Sequence, residues 1–568
     1  MNADTIFING RIYQNNSEET YASTMAIKDG RIVYIGDLDG SKEYCNSIDT
    51  KVYDLKGKNV LPGMIDCHIH PPGNMLYEIF DISLYGKTTK EEVLQEIRDY
   101  IDAHPDNEYY YGSGFHLALF SDDQDAGKGP NKKYLDEICS DKPIIIHSED
   151  MHNLWANSKA FEIAGVTSDT PDPAGGRIER DDAGEPWGIM REEAAMMLMP
   201  EQKFTVEEKI QALEAFQRRM NSWGYTGMIS LSGIVDVTDA LEQMSREGTL
   251  KLRTTAAYYL SPASETDLTA EEQLEIAEKW RSEWSSNPDL FKVSTIKIAM
   301  DGVVEGVTAG LIEQYTEKAG KGSGYHGELE FTDDELAEIC FESNRRGFQV
   351  HVHSIGDLST NKTLDAFAKA RECGAIGDYR NVITHLQVVK KEDIQRFKEL
   401  DVIAATQPFW HFKEPGLYDN YEEAFLGRDR AEKEYPLRSF VDAGVTITAS
   451  SDHGVTPVPY PFFAIETGVT RNMTYSERIG YPPISDEDDE RFLLNKDERI
   501  SVKEMFRAYT TNAAYQSFRE KDVGSLEEGK FADFIVVDQN IFEVNHLDIE
   551  KTNVLMTVFA GEIVFENK

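Results

Sequence analysis

The chain has 568 residues, 40% hydrophobic and 28% charged, a composition typical of a soluble globular protein with more than one domain. It carries 58 basic and 101 acidic residues, for a formal net charge of −43, which argues against nucleic acid and anionic membranes as partners because both are polyanions. The sequence shows neither a signal peptide nor a run of about 18 apolar residues, so we expect a cytoplasmic protein without a membrane span.

The two ends of the chain share a β-rich pattern. Short runs such as Thr5–Ile8, Phe534–Val537 and Val554–Phe559 are rich in β-branched and aromatic residues and are separated by Gly-containing turns. The middle of the chain lacks this pattern. We therefore predict that residues 1–60 and 521–568 pack together as one small β-sandwich domain built from both termini.

The first strand after the N-terminal segment ends in a pair of histidines. Residues 61–70 read Leu-Pro-Gly-Met-Ile-Asp-Cys-His-Ile-His. Side chains two apart on a strand point to the same side, so His68 and His70 can bind one metal ion together. The five cysteines contain no Cys-x-x-Cys pair that would indicate a thiolate site. Alone, the pair is equally compatible with a structural role; as metal ligands it would suggest a hydrolase.

A long segment after this strand has a different pattern. Residues of about 85–210 hold helices and the Gly- and Pro-rich segment 170–177. We interpret it as a large insertion after the first strand. Insertions after a barrel strand lie over the catalytic face, so we expect this one to contribute to a substrate pocket.

The rest of the chain alternates apolar runs with amphipathic helices. The run 295–300 precedes a helix near 333–346, the run 348–353 precedes a helix near 358–373, and further strands follow at 381–385, 402–406 and 445–450. This βαβα order indicates a parallel sheet. Strands about 30 to 50 residues apart are typical of a (β/α)8 barrel with long loops. We predict an α/β fold in which a TIM-like barrel spans residues 61–520.

Lys297 lies within an Ile-Lys-Ile run, on the face opposite both isoleucines. A charged lysine that points into a barrel is costly unless it is paired. One interpretation is a buried ion pair or a basic residue at the rim. The other is a neutral lysine that has reacted with carbon dioxide to form a carbamate, an anion able to bridge two metal ions.

Further metal-compatible residues stand at the ends of later strands. His351 and His353 share a face, and His353 lies nearer the C-terminal end, so we take His353 as the ligand and His351 as a core or supporting residue. His385 ends the next strand. Asp452 follows the last one, where the alternative is a helix cap. Together with His68, His70 and Lys297, these residues give six metal-compatible side chains on successive predicted strands. We do not expect such an arrangement by chance, so it indicates a metal site.

These residues and the motifs around them resemble the amidohydrolase superfamily. More narrowly, the chain is similar to the branch that includes the N-substituted formamide deformylases and many metal-dependent hydrolases. The resemblance covers nearly the whole chain. The motifs that carry it are Leu61–His70, Asn157–Ala160, Pro171–Ile178, Lys297–Gly302, Val352–Asp357, Ile383–Gln387, Ser450–Asp452 and Val523–Phe534.

The resemblance implies a divalent metal centre of one or two ions, most simply zinc. One ion would be held by His68, His70 and Asp452, the other by His353 and His385, with carboxylated Lys297 as the bridge. Asp452 would also take a proton from the metal-bound hydroxide and pass it to the leaving amine. The implied reaction is hydrolysis of a C–N bond, in an amide, N-acyl or N-formyl group of a small molecule.

Three residues depart from the pattern of this branch. Trp410 stands where a His is usual, His116 where an Asp is more usual, and His453 where a Trp is commoner. His152 lies in an insertion motif that tends to face the active site of the family, with helix packing as the alternative. We regard all four as candidate substrate contacts that reshape the pocket.

Other functions remain open on the same fold. Deaminases of the superfamily usually carry a Glu soon after the fifth-strand His; here His353-Ser-Ile-Gly-Asp357 has none, which argues against deamination. Ester or lactone hydrolysis stays possible because the same nucleophile attacks either carbonyl. A non-catalytic scaffold relative would be expected to have lost ligands. We expect a small-molecule substrate, no nucleic-acid or membrane partner, and leave a homodimer open.

Overall fold

The computed structural model describes residues 2–45, 49–120, 128–148, 153–173, 176–198, 204–233, 235–284, 286–456, 458–473 and 482–567. They form two compact units, one of Met1–Pro71 with Leu213–Lys568 and one of Pro72–Ala212. The chain thus leaves the larger unit directly after the strand that contains His68 and is followed by His70. It returns before the next strand of that unit.

The larger unit contains a parallel sheet of eight strands that are adjacent in chain order, the arrangement of successive βα units. Its two edges meet through backbone hydrogen bonds: Asp452 N donates to His68 O at 2.9 Å, and His70 N donates to His453 O at 3.0 Å. The sheet is therefore a nearly closed barrel, as predicted. From first to eighth, its strands are Met64–Ile69, Tyr225–Ser230, Arg253–Tyr259, Phe291–Ala299, Gln349–Ser354, Val382–His385, Ile403–Thr406 and Ile447–Ala449.

Helices connect the barrel strands, and two of them show how the sequence sets their limits. The helix predicted near 333–346 is Asp333–Arg345, and it begins at a capping box in which Thr332 and Glu335 bond each other's backbone N–H. The helix predicted near 358–373 is Asp357–Glu372. Across the described ranges, no helix is long and apolar enough to cross a membrane. Helix Val206–Ser222 begins in the smaller unit and ends in the larger one. The other helices of the larger unit are Leu38–Ser41, Thr238–Glu247, Ala270–Glu283, Lys391–Glu399, Glu423–Leu426, Arg428–Ala431, Leu437–Asp442, Pro461–Thr470, Val502–Ala508 and Thr511–Gln516.

Both chain ends contribute to one six-stranded sheet, joined where Asn59–Pro62 pairs antiparallel with Phe534–Val537. A second sheet packs on it: the Phe7 ring meets the Phe534 ring edge-on, with centroids 5.0 Å apart. The sandwich built from both termini is thus present, while its limits at residues 60 and 521 stay predictions. The six strands, in spatial order, are Glu562–Glu566, Val554–Phe559, Phe534–Val537, Asn59–Pro62, Arg11–Tyr13 and Tyr21–Ala22; the second sheet contains Arg31–Gly36, Thr24–Lys28, Thr5–Ile8 and Lys51–Asp54.

A buried ion pair ties the barrel to the six-stranded sheet. Arg253 opens the third barrel strand, and its Nε lies 2.6 Å from Oδ2 of Asp533, the residue before Phe534. A second bond joins Arg253 Nη2 to Asp533 Oδ1 at 3.2 Å, and both side chains are 3% exposed. A bidentate pair of this kind fixes orientation, and removing one partner would leave a buried charge.

The smaller unit is built around a six-stranded sheet with a core on each face. Ile144 and Ile146 pack in one core and Ile145 in the other, because successive side chains of a strand point to opposite faces. The predicted insertion, about 85–210, falls within this unit, and its contribution to a substrate pocket stays a prediction. Its strands, in spatial order, are Gly176–Arg180, Pro186–Glu192, Asn153–Ala156, Ile144–Ser148, Tyr110–Phe115 and Ile82–Ser83, with helices Met75–Phe80, Lys90–Ala103, Lys133–Asp136 and Ser158–Ala164.

Candidate metal centre

The two histidines of the first barrel strand both approach one carboxylate oxygen. Asp452 Oδ1 lies 3.3 Å from His68 Nε2 and 3.1 Å from His70 Nε2. The closure of the barrel brings these side chains together, because Asp452 follows the eighth strand and its backbone N–H donates to His68 O of the first strand. On its other side the His70 ring is held by a hydrogen bond from Nδ1 to Ser232 O.

Asp452 carries the observation that most favours a bound cation. Its side chain is 6% exposed, and Oδ1 has no hydrogen-bond donor among the described residues. A buried carboxylate oxygen without a donor is unfavourable. A divalent cation placed between this oxygen and the two imidazole nitrogens would remove that cost. Its backbone φ of 54° is left-handed, a conformation that Asp tolerates better than most residues.

His385, at the end of the sixth strand, is oriented by Gln407. His385 Nδ1 donates to Gln407 Oε1 at 2.8 Å. Gln407 is itself held, because its Nε2 donates to Thr384 Oγ1 at 3.1 Å and to Ser450 Oγ at 2.8 Å. With Nδ1 protonated by this bond, Nε2 of His385 is left free to bind a metal ion.

His353 stands beside His385, and their ring centroids are 4.4 Å apart. Its Nε2 donates to Gly302 O at 3.2 Å, which leaves Nδ1 as the free nitrogen. Burial lowers the pKa of His353 to about 4, and burial lowers that of His385 well below its usual value. Both rings are therefore neutral near pH 7, which is the metal-binding form.

His351 supports His68 from inside the barrel. The two rings are joined by a hydrogen bond between His351 Nε2 and His68 Nδ1, at 3.1 Å. Burial, reinforced by the charge of Lys297, lowers the pKa of both histidines well below the usual range. If His68 Nδ1 is the donor, its Nε2 is free on the side of Asp452. The geometry thus gives His351 an orienting position.

Lys297 projects from the fourth strand next to these rings, in register with His351 of the fifth strand. It is 5% exposed. Burial lowers its pKa to about 7, while Asp452 acts in the opposite direction. A large fraction of the side chain is therefore a neutral amine near pH 7, and the neutral amine is the form that reacts with carbon dioxide.

The structure adds Asp66, to which sequence analysis assigned no role. Its carboxylate is fully buried beneath the seam of the barrel and accepts hydrogen bonds from His68 N at 3.2 Å and Ser451 N at 3.1 Å. Burial raises its pKa to about 7. Asp66 connects the strand that carries the histidine pair to the turn that carries Asp452.

Asp301 is a second carboxylate without an assigned role. Its Oδ1 lies 3.8 Å from His353 Nε2, and burial raises its pKa to about 7 although four donors favour the ionised form. Asp301 thereby ties the loop after the fourth strand to the start of helix Asp357–Glu372. The donors are Gly310 N at 2.9 Å, Ile355 N at 3.0 Å, Gly356 N at 2.9 Å and Ser359 Oγ at 2.8 Å.

The six predicted ligand residues all line one cavity of about 680 Å³, a size suited to a small molecule. Among the described residues, the ligand atoms of His68, His385 and Asp452 all lie within 4.8 Å of one another, close enough to hold one metal ion. Imidazole nitrogens with a carboxylate suit zinc and other divalent transition metals. The donor set therefore fits a divalent metal ion.

A sequence profile of the amidohydrolase family matches residues 51–565. The chain belongs to the amidohydrolase family. The resemblance inferred from the motifs is therefore confirmed, and the match includes the barrel strands and the terminal sheet segments after residue 50.

Individual relatives extend over most or all of this amidohydrolase. The N-substituted formamide deformylase of Arthrobacter pascens is 24% identical over 581 residues, covering 99% of this chain and 98% of the relative. The exoenzymes regulatory protein AepA of Pectobacterium carotovorum subsp. carotovorum is 29% identical over 456 residues, covering 79% and 94%. A metal-dependent hydrolase from Pyrococcus furiosus has a similar structure, with a TM-score of 0.71 at 25% identity, covering 95% of this chain and 100% of that one.

The four candidate substrate contacts of this amidohydrolase lie in different surroundings. Trp410 lines the cavity, and its ring stacks on His385 with centroids 5.7 Å apart. His453 is buried at the barrel seam, where its ring stacks on Phe216, a position that fits a structural role. His116 is exposed at the end of strand Tyr110–Phe115 in the smaller unit. His152 lies outside the described residues. Substrate contact by these residues stays a prediction.

Proposed function

We propose that this protein is a metal-dependent hydrolase that cleaves a C–N bond in an amide, N-acyl or N-formyl group of a small molecule. The observation that carries the proposal is the unpartnered Oδ1 of Asp452, buried between the Nε2 atoms of His68 and His70 in the wall of a small-molecule cavity. Family membership and similarity to an N-substituted formamide deformylase support the choice of a C–N bond.

We assign the metal-binding role to six side chains around this point. Zinc is the simplest metal, as one or two ions, and Lys297 would contribute as a carbamate. The metal would act as a Lewis acid on the scissile carbonyl and on the attacking water. The six are His68, His70, Lys297, His353, His385 and Asp452.

The chain's own residues divide the remaining work. Asp452, buried and without a donor, would take the proton from the attacking water and deliver it to the leaving nitrogen. Gln407 and Gly302 hold His385 and His353 in the tautomers that leave one nitrogen free. Trp410 stacks on His385 and forms part of the wall of the same cavity.

Deamination is a weaker candidate for this site. The residues that directly follow His353 include no Glu of the kind that deaminases of this superfamily usually carry there. The nearest carboxylate in the sequence, Asp357, accepts a hydrogen bond from Ile312 N at 2.8 Å through Oδ1. Esters and lactones also contain a carbonyl carbon that the same metal-bound nucleophile could attack. They therefore belong in any substrate screen.

An activity screen tests the proposal. The purified protein would be stripped with a chelator, reloaded with zinc and bicarbonate, and assayed against N-formyl amines, N-acyl amino acids, cyclic amides and lactones. We expect release of amine and carboxylate from at least one amide class, lost on chelation and restored by metal. Activity unaffected by chelation, or release of ammonia alone from amino-substituted heterocycles, would contradict the proposal.

A further inference from the structure

One side of the cavity is lined by carboxylates. Glu305 and Glu414 reach it from loops and are exposed to it, whereas Glu422 lines it while being only 7% exposed. Within the described part of the chain, none of the three forms an ion pair with a Lys or Arg. The wall therefore presents three carboxyl groups for which the described residues supply no basic ion-pair partner.

Glu422 is joined to a fourth carboxylate through Gln387. Gln387 Nε2 donates to Glu422 Oε1 at 3.3 Å and to Glu434 Oε1 at 2.8 Å. Glu434 is fully buried, and its Oε2 has no hydrogen-bond donor among the described residues. The hydroxyl of Tyr418, a side chain that is 3% exposed, also has no hydrogen-bond partner among the described residues. Two buried polar side chains thus have unused hydrogen-bonding capacity beside Glu422.

These carboxyl groups are buried close to one another, so ionising all of them without a cation is unfavourable. Burial raises the pKa of Glu422 to about 8, and Glu305 and Glu414 contribute to the rise. Burial and Glu422 likewise raise the pKa of Glu434 well above its usual value. The buried Arg471 donates to the backbone carbonyl of Glu434 at 2.9 Å, and its charge acts to lower the pKa of that carboxyl, against the larger effects of burial and Glu422. A cation from outside would relieve this repulsion.

The surroundings indicate an organic cation in preference to a hydrated metal ion. Phe409, Phe412 and Leu417 line the same cavity, and Trp410 stacks on the ligand His385. Apolar and aromatic walls favour a carbon chain, and a primary ammonium has three donors for the free carboxylate oxygens. Gln387, which contacts Glu422 and Glu434, lies two residues after the predicted ligand His385. The carboxyl groups are therefore close to the predicted metal ligands.

We propose that the cavity binds substrates that carry a primary ammonium group, held by Glu422 with Glu305 beside it in the cavity wall, while the amide end reaches the metal-ligand residues. This inference rests on the proposed function. It assigns the substrate class as an N-acylated or N-formylated amine with a second, free amino group.

The test compares each ω-ammonium N-acyl or N-formyl alkylamine with the neutral isostere in which a methyl replaces the ammonium. For a series of chain lengths, we expect a higher kcat/KM for the ammonium substrate at the best length. Glu422→Gln should lower that kcat/KM about ten- to a hundredfold, as for lost hydrogen bonds to a charged group, and leave the neutral isostere unchanged. Glu423→Gln, at the neighbouring helical position outside the cavity lining, is the matched control.

A second variant and a binding measurement keep the two proposals separable. Glu305→Gln, at an exposed side chain, should reduce the ammonium preference without affecting folding. Hydrolysis of neutral amides with no ammonium preference would overturn this inference and leave the hydrolase proposal intact. If no amide is cleaved, binding of an alkylammonium ion is measured by calorimetry. Binding that Glu422→Gln abolishes would support the cation site. No binding of the alkylammonium, or binding of Ca²⁺ alone, would overturn it.

Discussion

Replacing Asp452 with Asn is expected to lower kcat about a thousandfold, the range of general acid–base catalysis. Asn keeps the size of the side chain and tolerates the left-handed backbone at this position, where φ is 54°. It cannot accept the proton of the attacking water. It also turns the unpartnered oxygen between His68 and His70 into part of a neutral amide.

The measurements for Asp452→Asn are kcat on the best substrate of the screen, metal content by elemental analysis, and thermal unfolding. We expect a folded protein that retains part of its metal and has almost no turnover. Asp442→Asn, an exposed helical aspartate whose Oδ1 lies 3.3 Å from Arg438, is the control and should behave like the wild type. Activity of Asp452→Asn within about tenfold of the wild type would exclude Asp452 as the proton-transfer group.

Replacing Lys297 with Ala is the second large effect that we expect. Under the proposed function the Lys297 carbamate would help to hold the metal, and the metal would supply several kcal/mol of transition-state stabilisation, so the variant should lose at least a thousandfold in activity. Burial lowers the pKa of Lys297 to about 7, so the neutral amine needed for carbamate formation is present at the pH of the assay. Short carboxylic acids such as propionate should restore part of the activity because they place a carboxylate in the vacated space.

Lys292 provides a matched control on the same strand. Burial lowers its pKa to about 7 as well, but its Nζ donates to Ser517 O at 2.6 Å, and it does not line the cavity. Lys292→Ala should therefore keep the metal content and gain nothing from propionate. A ¹³C-bicarbonate NMR experiment should show a carbamate signal in the wild type that Lys297→Ala lacks. Full activity of Lys297→Ala, or an unchanged carbamate signal, would disprove the bridging role.

The barrel and its strand-end residues could be predicted because local patterns carry the information. The i, i+2 spacing of His68 and His70 places both on one face of a strand, and the βα order brings later strand ends to the same edge of the sheet. The choice of His353 over His351 as a ligand rests on position along the strand and stays a prediction. The structure adds that the seam between first and eighth strands creates the contact with Asp452.

The residues that orient the predicted ligands could not be predicted in the same way. Gln407 supports His385 from the next strand, and Asp301 anchors a loop to a helix more than fifty residues later in the chain. Such contacts depend on loop conformations that have no periodic pattern. In the sequence, Glu422 and Glu434 are two of 101 acidic residues and stand in no motif. Only the structure, which buries both beside Gln387, distinguishes them from the other acidic residues.

The central claim is that six side chains at the end of one barrel bind the metal used in hydrolysis. An anomalous-difference map from crystals of the purified protein, recorded at the absorption edge of the metal found by elemental analysis, tests it most directly. We predict one or two peaks enclosed by the set His68, His70, Lys297, His353, His385 and Asp452. The protein used for the map must show metal-dependent activity. An anomalous peak elsewhere, with none among these six residues, would contradict the proposed metal site.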